Sequence, residues 1–233
     1  MIKLIKGDCL DKMIDIEPQS IDAIITDPPY GTTACKWDSV IPFDEMWQHL
    51  NRIIKPNGAI VLFGSEPFSS ALRMSNIRNY KYDWIWEKQQ GTNPFLAKKQ
   101  PLRKTENVIV FNKHNYYPQI VTGKPYSSFK DLSKIANRAI NSKSVHRDNP
   151  TGERYPTNII KYNTERKKGH PTQKPVALME YLIKTYTNEN ETVLDFTMGS
   201  GSTIVAAKKL GRNGIGIEKD DKYFEIAKER INK

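Results

Sequence analysis

The sequence predicts an α/β fold built on a mostly parallel sheet. Two observations carry that expectation. Short apolar runs bounded by Gly, Pro or Asp alternate with longer segments of helical apolar period along most of the chain. The strand ends are also punctuated by proline or glycine, as at Asp27-Pro28-Pro29-Tyr30 and Gly199-Ser200-Gly201. At 233 residues, the chain forms one large domain or a domain with one sizeable insertion.

Taken in order, Ile2 to Lys6 predicts a strand ending at Gly7-Asp8, and Cys9 to Ile16 a helix closed by Pro18. Asp22 to Thr26 is a short buried strand that runs into the Pro-Pro turn, followed by a polar loop over Gly31 to Val40. Phe43, Met46, Trp47, Leu50 and Ile54 recur at helical spacing, which predicts an amphipathic helix from Pro42 to Ile54. Lys55-Pro56-Asn57-Gly58 stops that helix, and Ala59 to Phe63 is a continuous apolar strand. A helix over Pro67 to Ile77 leads to strands at Tyr80 to Glu87 and Asn107 to Phe111, an antiparallel hairpin. Trp84 and Trp86 fall on one strand face and are read as packing residues. After an insertion, Pro175 to Tyr186 predicts a helix with proline in its first turn. Thr192 to Phe196, Ser200 to Leu210, Gly214 to Glu218 and Asp221 to Ile231 continue as strand, helix, strand, helix.

His114 to Lys168 breaks this pattern. It is rich in Lys, Arg, Asn, Ser and Tyr and poor in apolar periodicity, so it reads as an irregular basic insertion with a short helix near Leu132 to Ala139. The formal charge of +10 is concentrated nearby: residues 88–174 hold 18 of the 36 Lys and Arg but only 5 of the 26 Asp and Glu. A basic block beside a mildly acidic body suits a polyanion, because each neutralised phosphate releases condensed counterions. A device for solubility alone would be spread more evenly. No apolar run approaches the roughly 20 residues that span a bilayer, and the first residues are too short and alternating for a signal peptide. Cys9 and Cys35 lack metal-type spacing, and no His/Cys/Asp cluster surrounds His170, so no metal is expected and the thiols read as reduced and cytoplasmic.

Two consecutive prolines cannot continue a strand, because they lack N–H donors and have fixed φ. At Pro28-Pro29 the backbone must therefore leave the sheet in a stiff turn, between the carboxylate of Asp27 and the ring of Tyr30. A carboxylate, a free carbonyl and a stacking ring can hold a flat base by its exocyclic amine. The second turn, Asp195-Phe196-Thr197-Met198-Gly199-Ser200-Gly201, joins a strand to a helix through glycines that let backbone approach a ligand. Glu218, at the end of the following strand, can accept both hydroxyls of a ribose. The third glycine of a dinucleotide fingerprint and the Lys-Ser/Thr of a P-loop are both missing here.

These segments, in their order, resemble the DNA amino-methyltransferases that use S-adenosylmethionine, in the class whose catalytic motif precedes the cofactor motif. The resemblance rests on Gly7-Asp8-Cys9-Leu10, Thr26-Asp27-Pro28-Pro29-Tyr30-Gly31, Lys55-Pro56-Asn57-Gly58-Ala59, Thr105-Glu106-Asn107-Val108-Ile109-Val110-Phe111, His170-Pro171-Thr172-Gln173-Lys174-Pro175 and Asp195 to Gly201. Phe196-Thr197 stands where the family often has Pro-Phe.

The resemblance implies a Rossmann-like methyltransferase sheet, cyclically rearranged. Its strands 1 and 2 lie at the C-terminus and its strands 3 and 4 are Ile2 to Lys6 and Asp22 to Thr26, so Met1 and Lys233 should lie close together. Residues 1–113 and 169–233 become the catalytic domain and 114–168 the target-recognition insertion. Asp27, Pro28, Pro29 and Tyr30 are the implied catalytic residues. Asp8, Cys9, Asp27, Thr172, Lys174, Asp195, Phe196, Met198, Gly199, Ser200, Gly201, Ser202 and Glu218 are the implied cofactor residues, with Thr172 and Lys174 on the cofactor carboxylate and Asp8 on its adenine. Lys124, Lys130, Lys134, Arg138, Lys143, Arg147, Arg154 and Lys161 are the implied DNA contacts.

The expected activity is site-specific methylation of adenine N6 in double-stranded DNA, with the base flipped out of the duplex. Asp at the head of Pro-Pro-Tyr leans toward adenine, since relatives acting on cytosine N4 often carry Ser there. The alternatives are cytosine N4, RNA or protein glutamine as substrate, or a non-catalytic nucleic-acid binder that kept the fold. Cys35 follows Ala34 rather than proline, which argues against thiolate attack on cytosine carbon 5. A homodimer and a cognate restriction endonuclease stay open as partners; a membrane is not expected.

Overall fold

The computed structural model describes residues 1–32, 38–130, 145–165 and 173–233. In chain order the elements begin with β1 (Ile2–Lys6), α1 (Cys9–Met13), β2 (Ile21–Thr26), α2 (Phe43–Ile53), β3 (Ile54–Gly64) and α3 (Phe68–Ser75). The hairpin β4 (Tyr80–Thr92) and β5 (Arg103–Phe111) follows, then β6 (Val121–Thr122), β7 (Tyr126–Lys130), β8 (Val145–Asn149), β9 (Glu153–Arg154) and β10 (Ile159–Lys161). The chain closes with α4 (Val176–Tyr186), β11 (Thr192–Asp195), α5 (Ser202–Lys209), β12 (Asn213–Glu218) and α6 (Asp221–Asn232). Among the described residues no helix is long and apolar enough to cross a membrane.

The described chain divides into two compact units, 1–117 with 158–233, and 118–157. The larger unit is built on an eight-stranded sheet of order β1-β12-β11-β2-β3-β5-β4-β10. Only β5 runs antiparallel to its neighbours there; the other pairs are parallel. In the rearranged numbering the first four strands of this sheet are 3, 2, 1 and 4. Ile2 and Leu4 pack with Ile231 of α6, which brings the two chain ends together as expected.

Side chains alternate across a strand, so each strand supplies two faces. Ile24, Ile60, Leu62, Ile109 and Leu194 form one layer with α1, α2 and α3; Met46, Trp47, Leu50 and Ile53 are the buried stripe of α2. Ala23, Ile25, Val61, Phe63, Trp84, Trp86 and Val193 form the other layer with α4 and α5. Truncating a fully buried side chain such as Leu50 costs about 2–5 kcal/mol.

Some boundaries differ from those read in the sequence. Lys55-Pro56-Asn57-Gly58 does stop α2, but β3 begins at once at Ile54 and carries the four residues as an irregularity in its register with β2. An ideal Cβ at Gly58 would stand 2.7 Å from the Asp22 carbonyl, so only glycine fits this close approach. Pro175 is the N-cap of α4 rather than a first-turn residue, held there by extended backbone.

The region 114–168 is not uniformly irregular. Ile159–Lys161 joins the main sheet beside β4. The smaller unit pairs β6 with β9 and β7 with β8 as antiparallel ribbons. Such short polar strands are stabilised by backbone pairing, which leaves little apolar signature in the sequence. The helix expected near Leu132 to Ala139 lies outside the described residues, as does Cys35.

Candidate active site

β2 and β11 are neighbours at the point where the sheet order reverses direction, the place where open α/β sheets form a crevice at their carboxyl ends. Both turns singled out in the sequence lie there, and two threonines join them. Thr26 Oγ1 donates to Asp195 Oδ1 at 3.0 Å and accepts the Phe196 N–H at 3.1 Å. Thr197 Oγ1 donates to the Asp27 carbonyl at 3.0 Å. The crevice has a volume of about 790 Å³, and its lining includes Asp8, Cys9, Asp27, Glu106, Gly199 and Glu218.

On the proline side, Asp27 sits in a buried charge network. Lys174 Nζ lies 2.5 Å from Asp27 Oδ2 and 2.8 Å from Glu106 Oε1, and Lys88 Nζ lies 2.6 Å from Glu106 Oε2. The Tyr30 hydroxyl is 2.6 Å from Asp27 Oδ1 and 3.0 Å from Glu106 Oε1. Its ring stacks on Phe68 with centroids 5.0 Å apart. Burial raises the Asp27 carboxyl above the ordinary carboxylate range, with Lys174 pulling the other way. Burial would raise Glu106 as well, but Lys174 and Lys88 outweigh it and hold the group at about 2. Lys174 is desolvated too, and its two carboxylate partners raise it net, so it stays charged. Asp38 props the turn from below: Oδ1 accepts the N–H groups of Tyr30 and Gly31 at 2.8 and 2.9 Å, and Oδ2 that of Thr32 at 3.0 Å.

The glycine side is held by backbone. Glu218 Oε2 accepts the Gly199 N–H at 2.9 Å and Oε1 the Asp220 N–H at 2.7 Å. Gly199 has φ +52°, a conformation that favours glycine. Burial raises Asp195 to about 7, even though Thr203, Thr26 and the Thr197 N–H favour its ionised form. Burial also raises Glu218. Ser200 Oγ donates to Gln173 Oε1 at 3.2 Å, and Gln173 Nε2 donates to Glu165 Oε2 at 2.7 Å. Glu165 Oε1 accepts the Val176 N–H at 3.0 Å, which fixes the start of α4.

Most of the expected residues meet here. Asp8, Cys9, Asp27, Pro28, Pro29, Tyr30, Lys174, Asp195, Phe196, Met198, Gly199, Ser200, Ser202 and Glu218 all line the crevice. Several do so with other contacts than expected. Lys174 faces two carboxylates of the chain rather than standing ready for a ligand carboxylate, because burial obliges an ammonium to pair. Asp8 caps α1 through the Leu10 N–H at 3.0 Å. Burial pushes the Cys9 thiol up to about 12, so it serves as a small apolar wall. The Phe196 ring belongs to the core layer beneath the crevice. Gly201 does not line the crevice: its φ is +78°, and a Cβ there would sit 3.1 Å from Ala227 Cβ, so it is needed for the packing of α5 on α6.

Of the expected DNA contacts, Arg154 spends its guanidinium on the Lys124 carbonyl at 2.7 Å and on the face of Tyr126. Lys161 lies in the main sheet, 3.0 Å from Glu87. Lys124 and Arg147 lie in the smaller unit, as does the backbone of Lys130. Lys134, Arg138, Lys143 and Thr172 lie outside the described residues.

Glu106, Lys88, Asp38, Gln173 and Glu165 were missed as site residues. Glu106 carried one usable signal, its place in the segment Thr105 to Phe111 on which the family resemblance rests. Lys88 and Asp38 carried none.

A family model described as a DNA methylase (N6_N4_Mtase) matches residues 21–229. The type II methyltransferase M.HpaI of Haemophilus parainfluenzae is 29% identical over 243 residues, covering 99% of this chain and 74% of that protein. The type II methyltransferase M.HinfI of Haemophilus influenzae is 30% identical over 266 residues, covering 98% and 67%. Among solved structures, the M1.HpyAVI–SAM complex superposes with a TM-score of 0.66 at 30% identity over the whole of both chains. The PvuII DNA methyltransferase, described as cytosine-N4-specific, shares the fold at a TM-score of 0.70 and 18% identity.

Proposed function

This chain belongs to the N6/N4 DNA methylase family, and from that premise we propose that it methylates the exocyclic N6 of adenine at specific sites in double-stranded DNA, with S-adenosylmethionine as donor. The observation that carries this reading is the stitching of the two turns. Thr26 and Thr197 tie the Asp27 turn to the glycine turn over one crevice, so an amine held by the first faces a ligand held by the second.

The residues present fit the cofactor. A volume of about 790 Å³ suits a nucleoside-sized ligand beside a base. Each oxygen of Glu218 accepts one backbone N–H and keeps a second lone-pair direction for a ribose hydroxyl. Gly199 and Ser200 offer backbone, and Asp8 a carboxylate, toward the rest of the ligand. S-adenosylmethionine, when bound, supplies an electrophilic methyl group on a sulfonium centre.

The chain's own residues have to present a poor nucleophile. The amine lone pair of adenine is conjugated into its ring. Accepting its two N–H groups, at Asp27 and at the Pro28 carbonyl, favours a pyramidal nitrogen whose lone pair is free to react. The stiffness of Pro28-Pro29 and the three N–H groups gathered by Asp38 fix that geometry in advance. Lys174 pairs with Asp27 and orients it, and its charge pulls against the burial that raises the carboxyl. Tyr30 stacks on the extruded base with the ring face opposite Phe68.

The basic insertion over 114–168, including Lys124 and Arg147, is assigned to target recognition, and the enzyme to the cytoplasm with its DNA. Asp rather than Ser at position 27 supports adenine over cytosine. Incubation of the protein with DNA and radiolabelled S-adenosylmethionine, followed by nucleoside analysis, tests the assignment. N6-methyladenine is the expected product; N4-methylcytosine would overturn the base assignment.

A further inference from the structure

The β4–β5 hairpin carries a built tip that the methyl-transfer reading leaves unused. The two strands close at Thr92 and Arg103, and residues 89–105 are all exposed. The tip is held by its own backbone: Asn93 adopts φ +64°, Pro94–Leu96 forms a 3-10 turn, and the N–H groups of Leu96, Ala97, Lys99 and Gln100 are each bonded within it at 2.8–3.1 Å. On this turn Phe95 is 97% exposed, with Leu96 and Leu102 partly exposed nearby. A preorganised turn that presents a phenylalanine to water has no folding rationale, since burial of the ring would be favourable.

Two further observations select the partner. Residues 89–105 hold four Lys or Arg and no Asp or Glu, with Lys98 and Lys99 three and four positions beyond Phe95. Thr92, Asn93 and Arg103, at the base of the tip, line the same crevice as Asp27. A cationic surface with one projecting flat ring, at the rim of a site that must receive an extruded base, fits duplex DNA.

We propose that Phe95 enters the base stack beside the target nucleotide and fills the space which the extruded base leaves, while Lys98 and Lys99 engage the flanking phosphates. This rests on the reading of the crevice as a base site.

The test uses the whole chain and duplexes bearing the sequence it methylates, mapped beforehand from modified DNA. Phe95→Ala should lower kcat/KM on a fully paired duplex by about tenfold or more, because extrusion of a stacked base is what the ring assists. On a duplex with an abasic position opposite the target, where pairing is already lost, the variant should come within about threefold of the parent. Phe95→Trp should retain activity on both. With 2-aminopurine at the target position, the fluorescence rise on binding should be lost in Phe95→Ala.

Equal losses on both duplexes, or full activity of Phe95→Ala on the paired one, would overturn the proposal. So would a dimer that Phe95→Ala converts to monomer in light scattering, since the ring would then serve a second copy of the chain. Absence of methylation by the parent on any DNA would remove the base-site reading itself, an outcome independent of residue 95.

Discussion

Glu106 and Asp195 are both carboxylates buried at the crevice, 7% and 4% exposed, yet they are held at opposite ends of the acid range. Glu106 belongs to the proline side, where two ammonium groups outweigh burial and hold it at about 2. Asp195 belongs to the glycine side, where hydroxyl and N–H donors soften burial without overcoming it, and it stands at about 7. Burial is common to both; the formal charge of the partners decides. The turn assigned to the reacting amine is locked by ions, and the turn assigned to the cofactor by backbone and neutral donors.

The largest expected effect is on the ionic side. Asp27→Ala should lower turnover by about 10²–10³-fold or more, the scale of losing an electrostatic contact made to the reacting group. Gel-shift affinity for DNA should stay within about twofold, as residue 27 makes no phosphate contact in this reading. Retained turnover would break the assignment of Asp27. Lys174 keeps its 2.8 Å contact with Glu106 in this variant, so the chain should still fold.

Glu106→Gln tests the ion pairs themselves. The carboxyl is held below its ordinary value of 4.5, at about 2. Its stabilisation is therefore present above about pH 4.5 and lost as pH falls toward 2, and the shift is worth about 3 kcal/mol. Denaturant titration should show the variant less stable by about that amount at pH 7, with the gap closing below pH 4.5. A gap unchanged between pH 6 and pH 3 would mean that Glu106 contributes by packing rather than by charge.

Asp195→Asn should show the opposite sign. Asp195 is raised from 3.8 to about 7, so the folded chain favours its protonated form. Its contribution is present below about pH 3.8 and lost as pH rises through 7. The amide keeps an oxygen for Thr26 and the Thr197 N–H while carrying no charge. Relative to the parent, the variant should gain unfolding free energy between pH 4 and pH 8, up to the roughly 4 kcal/mol that the shift is worth. A constant difference across that range would contradict the contrast between the two sides.

Much of this was legible in the chain itself. Pro28-Pro29 ended β2 because proline has no N–H to give a ladder, whatever surrounds it. The glycine turn and the runs 59–63 and 192–196 declared strands and their exits by local chemistry and period. The assignment of strands 1 and 2 to the C-terminus and of strands 3 and 4 to the N-terminus followed from motif order, and the sheet sets those four side by side. Gly201 and Pro175 show the limit of that reading. Each was assigned from its motif or helix position, whereas α6 against α5 gives the one its role and extended backbone makes the other a cap.

By itself the sequence determined where the backbone must turn, which runs are buried, and that a carboxylate heads one turn while glycines open the other. These are properties of neighbouring residues. The partners of that carboxylate were decided only by tertiary structure: Lys174 is 147 positions from Asp27, and Glu106 is 76 positions from Tyr30. Sheet register and helix docking bring them within hydrogen-bond distance, and burial makes their pairing obligatory. A lysine in a sequence carries no mark of which anion it will have to neutralise.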